Sequence, residues 1–232
     1  MVIKTGISVS GYVNSDEFVL NHVKGKVCLH LGCIGETCAS SDVKVARTEK
    51  LLHYKIARVA KQVVGIDHDK RTIDVLKNRS DLGTLVYSDV ENLNEIDLPW
   101  KTFEVIIATA IIEHLNNPGK MLEGIRHYMT KESLLLISAP NMFGLPNYLR
   151  FVCRRYREGP DHVVSYNKYL LSNLLARYGF SILELYSCYG DRSKEIINPL
   201  VFRVGYTFLK IFPELGVGLI AMAKLCQTQV EN

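Results

Sequence analysis

Val27-Cys28-Leu29-His30-Leu31-Gly32-Cys33-Ile34-Gly35 reads as a buried β-strand that runs into a glycine turn. Downstream, Val63-Val64-Gly65-Ile66-Asp67 reads as a second buried strand that delivers a carboxylate at its end. In an open parallel α/β sheet the ligand crevice lies beyond the carboxyl ends of the strands, where both features fall. A glycine there lets a ligand approach the backbone, and a carboxylate accepts two hydrogen bonds from a ribose diol. The pair points to a nucleoside-containing ligand.

Outward from this pair, apolar periodicity predicts a helix over 12–23, a strand at 26–31 and a helix carrying Leu51, Leu52, Ile56, Val59 and Ala60 before the strand at 63–67. A helix over 71–78 and a strand at 84–87 follow, then a continuously apolar strand at 103–109, as expected where helices cover both faces of a sheet. Pro118 opens a helix with Met121, Leu122, Ile125 and Tyr128 as its buried stripe. Strands at 133–138, 181–187 and 216–224 and helices at 167–178 and 195–212 complete a seven-stranded α/β pattern. Its alternation predicts a doubly wound sheet with right-handed crossovers, in one domain over 1–232. Gly144, Pro146, Gly159 and Pro160 break 141–166 into a long irregular connection at the ligand end, the expected acceptor lid.

The 232 residues, 47% hydrophobic and 22% charged, have the balance of a soluble globular chain. A net charge of +4 is too small and too evenly spread to argue for nucleic acid. The basic group Arg150, Arg154, Arg155 and Arg157 is ordinarily a solvated helix face. The six cysteines form no CxxC pair, so neither zinc nor a disulfide framework is suggested, and a reducing cytoplasm is expected. No export signal is visible near Met1. The apolar segment 196–223 is broken by Arg203, Lys210, Pro213 and Glu214, whereas a membrane span needs about 20 nearly uninterrupted apolar residues.

A dinucleotide turn starting at Gly32 would need glycine where Ile34 and Thr37 stand, and no P-loop follows a strand. A nucleoside ligand without a pyrophosphate remains. Here Leu29-His30-Leu31-Gly32-Cys33, Val64-Gly65-Ile66-Asp67, Tyr87-Ser88-Asp89-Val90, Phe103-Glu104-Val105-Ile106 with Ile112-Glu113-His114-Leu115, and Leu136-Ile137-Ser138-Ala139-Pro140-Asn141 resemble, in order, the motifs of class I S-adenosylmethionine-dependent methyltransferases of the type 11/12 kind. Asp161-His162 followed by Tyr166 to Phe180 is similar to the segment those enzymes place before their sixth strand.

The resemblance implies a Rossmann-like mixed sheet, mostly parallel with the last strand antiparallel. It implies S-adenosyl-L-methionine as cofactor and S-adenosyl-L-homocysteine as product. Gly32, Cys33 and Gly35 would form the turn beside the methionyl portion, and Asp67, with His68 next to it, would hold the ribose. Asp89 and Val90 would meet the adenine, and Thr109 would line the floor near the sulfonium. Each Asp also reads as a helix N-cap or turn residue. His30 stands where the family carries an acid that helps hold the ammonium end, and a neutral imidazole is a poorer acceptor. The segment 36–50 lengthens the Gly32–Asp67 unit, either as a cover over the cofactor or as a mobile loop.

Transfer to a hydroxyl calls for a base, for which His114 and His162 are the candidates; each also reads as a structural histidine bonded to a loop carbonyl. Metal-assisted small-RNA 2′-O-methyltransferases carry an extended Glu-x-x-Glu-His pattern. Ala110 stands at the first acid before Glu113-His114, so no metal is expected. Tyr148, Phe151, Tyr156, Tyr166 and Tyr169 either line an acceptor pocket or simply pack. The apolar stretch within 196–212 reads as a peripheral membrane contact, as packing on the sheet, or as a homodimer interface. The expected function is methyl transfer to an O or N atom of a small molecule or of a glycan or lipid-linked precursor. The alternative is a non-catalytic cofactor-binding regulatory or interaction protein, for which His30 and Ile34 in the glycine motif are the motive.

Overall fold

The computed structural model describes residues 7–35, 40–155, 159, 161–189 and 205–226, and the backbone alone over 199–204. The apolar run β2 (Val27–Leu31) pairs in parallel with β3 (Gln62–Asp67) on one side and β5 (Phe103–Thr109) on the other, with His30 opposite both Gly65 and Ile107. β4 (Thr84–Tyr87) extends the sheet beyond β3, and β6 (Met129–Pro140) lies parallel to β5. β8 (Gly218–Leu225) runs antiparallel between β6 and β7 (Phe180–Tyr189). β1 (Tyr12–Asn14) runs parallel to β7 at the edge, giving the order β1-β7-β8-β6-β5-β2-β3-β4.

Among the described residues this mixed sheet has eight strands, one more than the sequence pattern predicts. Residues 12–14 are extended rather than helical. Tyr12 packs its ring against Tyr189 and Tyr206, and the Asn14 side chain accepts from the Glu17 N–H at 2.9 Å, capping α1 (Ser15–Val23). An N-cap residue has non-helical backbone, so the apolar spacing upstream of Asn14 belongs to the edge strand.

Alternation along the central strands sorts the core into two faces. Leu29, Leu31, Val64, Ile66 and Ile106 pack with Met121, Leu122 and Ile125 of α5 (Pro118–His127). Cys28, Val63, Val105 and Ile107 pack with Val19 and Val23 of α1 and with Ile56 of α3 (Leu52–Ala57). Burial on both faces is why these strands are continuously apolar. Among the described residues the remaining helices are α2 (Ser41–Ala46), α4 (Lys70–Leu76), α6 (Leu145–Val152), α7 (Lys168–Arg177) and α8 (Pro199–Ile211). α2 falls in a segment without a clear apolar period, and the start of the predicted helix at 195–198 lies outside the described residues. Among the described residues no helix is long and apolar enough to cross a membrane.

Candidate cofactor and acceptor site

The turns that leave β2, β3, β5 and β6, with the 3-10 turn after β4, surround a cavity of about 770 Å³. Gly32 and Gly35 both have left-handed backbone, with φ of +72° and +59°. A Cβ at Gly32 would lie 2.9 Å from the Ile111 side chain, so this turn needs glycine for its φ and for its space. The Gly32 and Cys33 N–H groups donate to the Ile66 carbonyl at 2.9 and 3.2 Å.

Asp67, buried at the end of β3, ties two turns together. Its Oδ2 accepts from the Ile34 N–H at 2.9 Å and its Oδ1 from the Asp69 N–H at 3.0 Å. Each carboxylate oxygen has a further lone pair, and Asp67 lines the cavity. Asp89 also lines it, while its Oδ1 accepts from the Glu91 N–H at 2.9 Å and caps the 3-10 turn. His68 and Val90 complete the expected residues on the cavity wall near these acids.

Three expected residues, His30, Cys33 and Thr109, do not line the cavity. His30 belongs to the β2 face that meets α3, and it is buried with its Nδ1 3.2 Å from Nδ1 of His53. His53 Nε2 donates to the Leu82 carbonyl at 2.9 Å, so its Nδ1 is the acceptor and His30 Nδ1–H the donor. Burial holds His30 well below the usual histidine range and, despite the opposing pull of the Leu82 carbonyl and Asp67, holds His53 at about 4. Cys33 is buried under the turn, where desolvation and then Asp67 push its thiol well up. Ala110 and Ile111, one step past Thr109, reach the cavity instead, and Ala110 has a φ of +49°.

Lys44 is a wall residue that sequence reasoning missed. It projects from α2, is buried, and pairs its ammonium with Asp69 Oδ2 at 2.7 Å. Burial raises the Asp69 carboxyl, but the Lys44 ion pair and the Thr72 hydrogen bonds outweigh it and hold the group at about 2. In the sequence Lys44 is indistinguishable from a surface lysine, because 36–47 carries no apolar period to orient it.

Another part of the wall is a polar corner of Glu113, His114, Asp161 and His162. The Val163 and Val164 N–H groups donate to the Glu113 carbonyl at 2.9 and 3.2 Å, which fastens the lid segment to the turn after β5. His114 Nδ1 lies 3.2 Å from the Asp161 carbonyl and 3.3 Å from its Oδ2. The His114 and His162 rings meet edge to face at 4.8 Å. Glu113 and Asp161 are wall residues that sequence reasoning did not single out, and the only signal for them is that each precedes a candidate histidine. Of the expected lid aromatics, Tyr166 is buried; desolvation and then the Glu113 charge push its phenol up to about 12. Tyr148, Phe151 and Tyr169 are exposed and do not line the cavity, and Tyr156 lies outside the described residues, as does Arg157 of the basic group.

Residues 23–185 match the family model described as a methyltransferase domain. A probable S-adenosylmethionine-dependent methyltransferase of Mycobacterium tuberculosis is 30% identical over 90 residues, which take in 37% of this chain and 30% of that protein. The match thus spans under a third of that curated relative's length. A crystal structure of a SAM-dependent methyltransferase from Archaeoglobus fulgidus superposes with a TM-score of 0.54 at 18% identity, covering 90% of this chain and 94% of that one. The 1,6-didemethyltoxoflavin-N1-methyltransferase of Burkholderia thailandensis, solved with bound 1,6-didemethyltoxoflavin and S-adenosylhomocysteine, gives a TM-score of 0.53 at 12% identity, covering 92% of this chain and 77% of that one. At these identities the two structures speak for the fold.

Proposed function

The chain belongs to the S-adenosylmethionine-dependent methyltransferase family, and on that premise we propose that it methylates an O or N atom of a small molecule or of a glycan or lipid-linked precursor. The observation that carries this reading is the joining of a nucleoside-type cradle and an acid–base corner in one cavity. Its volume of about 770 Å³ sits within the range of about 300–1,000 Å³ usual for small-molecule sites. The Gly32 turn, with no room for a Cβ, fits the close approach of a methionyl chain, and Asp67 offers carboxylate lone pairs to a ribose diol. Asp89 and Val90 are the residues proposed for the adenine, and Lys44 adds a cation at the wall. When bound, the cofactor supplies a sulfonium methyl whose C–S bond breaks as the acceptor bond forms.

The chain's own part is to orient the acceptor, to exclude water and to take up its proton. His114, held by Asp161, and His162 are the residues proposed to face the acceptor. His30, paired with His53 and turned from the cavity, gives no support to a non-catalytic reading.

Labelled methyl transfer to a panel of hydroxyl- and amine-bearing small molecules and glycans tests this directly. His114→Ala is expected to lower the rate by about 10²–10⁴-fold while cofactor affinity is unchanged. An unaltered rate in that variant removes the assignment of the corner.

A further inference from the structure

We propose that Glu113, His114 and His162 form a binding site for one divalent first-row transition ion, with zinc as the type case, and that the ion's open position receives the acceptor oxygen. The carboxylate of Glu113 and the ring nitrogens of the two histidines offer donor atoms that all lie within 4.8 Å of one another. Tetrahedral ligands at about 2.1 Å from an ion stand about 3.4 Å apart, so closing this set draws its widest pair together by up to about 1.4 Å. The His114 side chain is 24% exposed and has room for that shift, while Glu113 is 2% exposed and fixed.

Three features distinguish the cluster from a chance meeting of polar groups. First, the backbone clamps it: Val163 and Val164 donate to the Glu113 carbonyl, so the two segments that carry the donors are joined beside the site. Second, His114 is oriented through its far nitrogen. Its Nδ1 lies 3.3 Å from Asp161 Oδ2, while Nε2 lies 4.0 Å from Glu113 Oε1. A carboxylate on the outer nitrogen of a ligand histidine fixes its tautomer and raises its basicity. Third, Gly159 makes space for the His162 ring, since a Cβ there would sit 2.7 Å from it.

Two imidazoles and one carboxylate suit zinc, iron, cobalt or nickel and leave coordination positions open, whereas magnesium and calcium prefer oxygen ligands. Spacing along the chain counts Ala110 as a lost ligand. Folding brings in His162 from the lid segment, which a local pattern does not register. With an ion bound the two histidines serve as ligands and no longer take up the acceptor's proton, which the bound hydroxyl gives to solvent because the ion lowers its pKa. No electrons are exchanged. This role for the ion rests on the methyltransferase reading; the binding of the ion does not.

The test is titration of chelator-stripped full-length chain with Co²⁺ by visible absorption and with Zn²⁺ by calorimetry. One ion per chain with a low-symmetry Co²⁺ spectrum is expected, undisturbed by excess Mg²⁺. His162→Ala and Glu113→Gln are expected to weaken binding at least about 10-fold and Asp161→Asn by about 10–100-fold. S-adenosylmethionine affinity of each variant reports an intact fold. In the unaltered chain, Co²⁺ should broaden the His114 and His162 imidazole resonances, which needs no variant. An aqueous-ion Co²⁺ spectrum, absent broadening, or equal binding by folded His162→Ala overturns the site. Metal binding without S-adenosylmethionine binding leaves the site standing and overturns the methyltransferase reading; the reverse result separates the two in the opposite sense.

Discussion

Asp67 illustrates how one side chain serves structure and ligand together. Because its two oxygens already accept the Ile34 and Asp69 N–H groups, replacement by alanine would unfasten both turns as well as remove the ribose acceptor. Asp67→Asn keeps one acceptor oxygen but sets an NH2 against the other N–H, so it loses one of the two turn bonds as well as the charge. It is expected to weaken S-adenosylmethionine binding by about 10–100-fold, the worth of a charge-assisted hydrogen bond of about 1.5–3 kcal/mol, and to lower the melting temperature less than Asp67→Ala does. The buried His30–His53 pair makes a different prediction. Both histidines are neutral in the fold, with His53 held at about 4, whereas an unfolded histidine titrates near about 6.5. The unfolded chain therefore binds more protons between these values, and stability should be full above about pH 6.5 and fall as the pH drops toward about 4. Thermal melts across that range check the sign, and His53→Phe should flatten the slope. The same substitution leaves the His30 donor and the Leu82 carbonyl without their partner, at a cost of about 1–3 kcal/mol.

At the scale of elements, the packing of α3 onto β3 depends on Gly65. A Cβ there would lie 2.6 Å from the His53 ring and 2.8 Å from Cys33 Sγ, so Gly65→Ala is expected to destabilise by about 1–3 kcal/mol in denaturant unfolding. The link of α2 to α4 rests on Lys44 and Asp69. Asp69, held at about 2 by the Lys44 pair and the Thr72 hydrogen bonds, which together outweigh its desolvation, contributes stability above about pH 4, which is lost as the pH falls toward 2. Lys44→Met should reduce that acid-limb dependence. The central strands and α5 were legible because burial on two faces writes itself as apolar runs and stripes. β1 and α2 were not: β1 has three residues at a sheet edge, and α2 has six residues and only Lys44 buried. In the site, the Gly32 turn and Asp67 were legible from their places at strand ends. For His30, its rank in the motif places it near the ligand, while strand alternation turns its ring to His53 of α3. The Glu113–His114–His162 corner depends on a tertiary contact that no local spacing encodes.

On the scale of the whole molecule, the cavity lies where the strand order reverses across β2, β3 and β5, and the 141–166 segment returns to it through Asp161 and His162. α6, within that segment, has no buried residue, and α8 with the following Phe212 leaves Phe208, Ile211 and Phe212 exposed beside a buried Leu209. The account's central claim is that this cavity binds a sulfonium nucleoside. Its most direct measurement is calorimetric titration of the chain with S-adenosylmethionine and S-adenosylhomocysteine, with NAD as control. Saturable one-to-one binding of the first two, competition between them and no heat from NAD are predicted; binding of NAD, or of neither methyl donor nor product, would contradict the account.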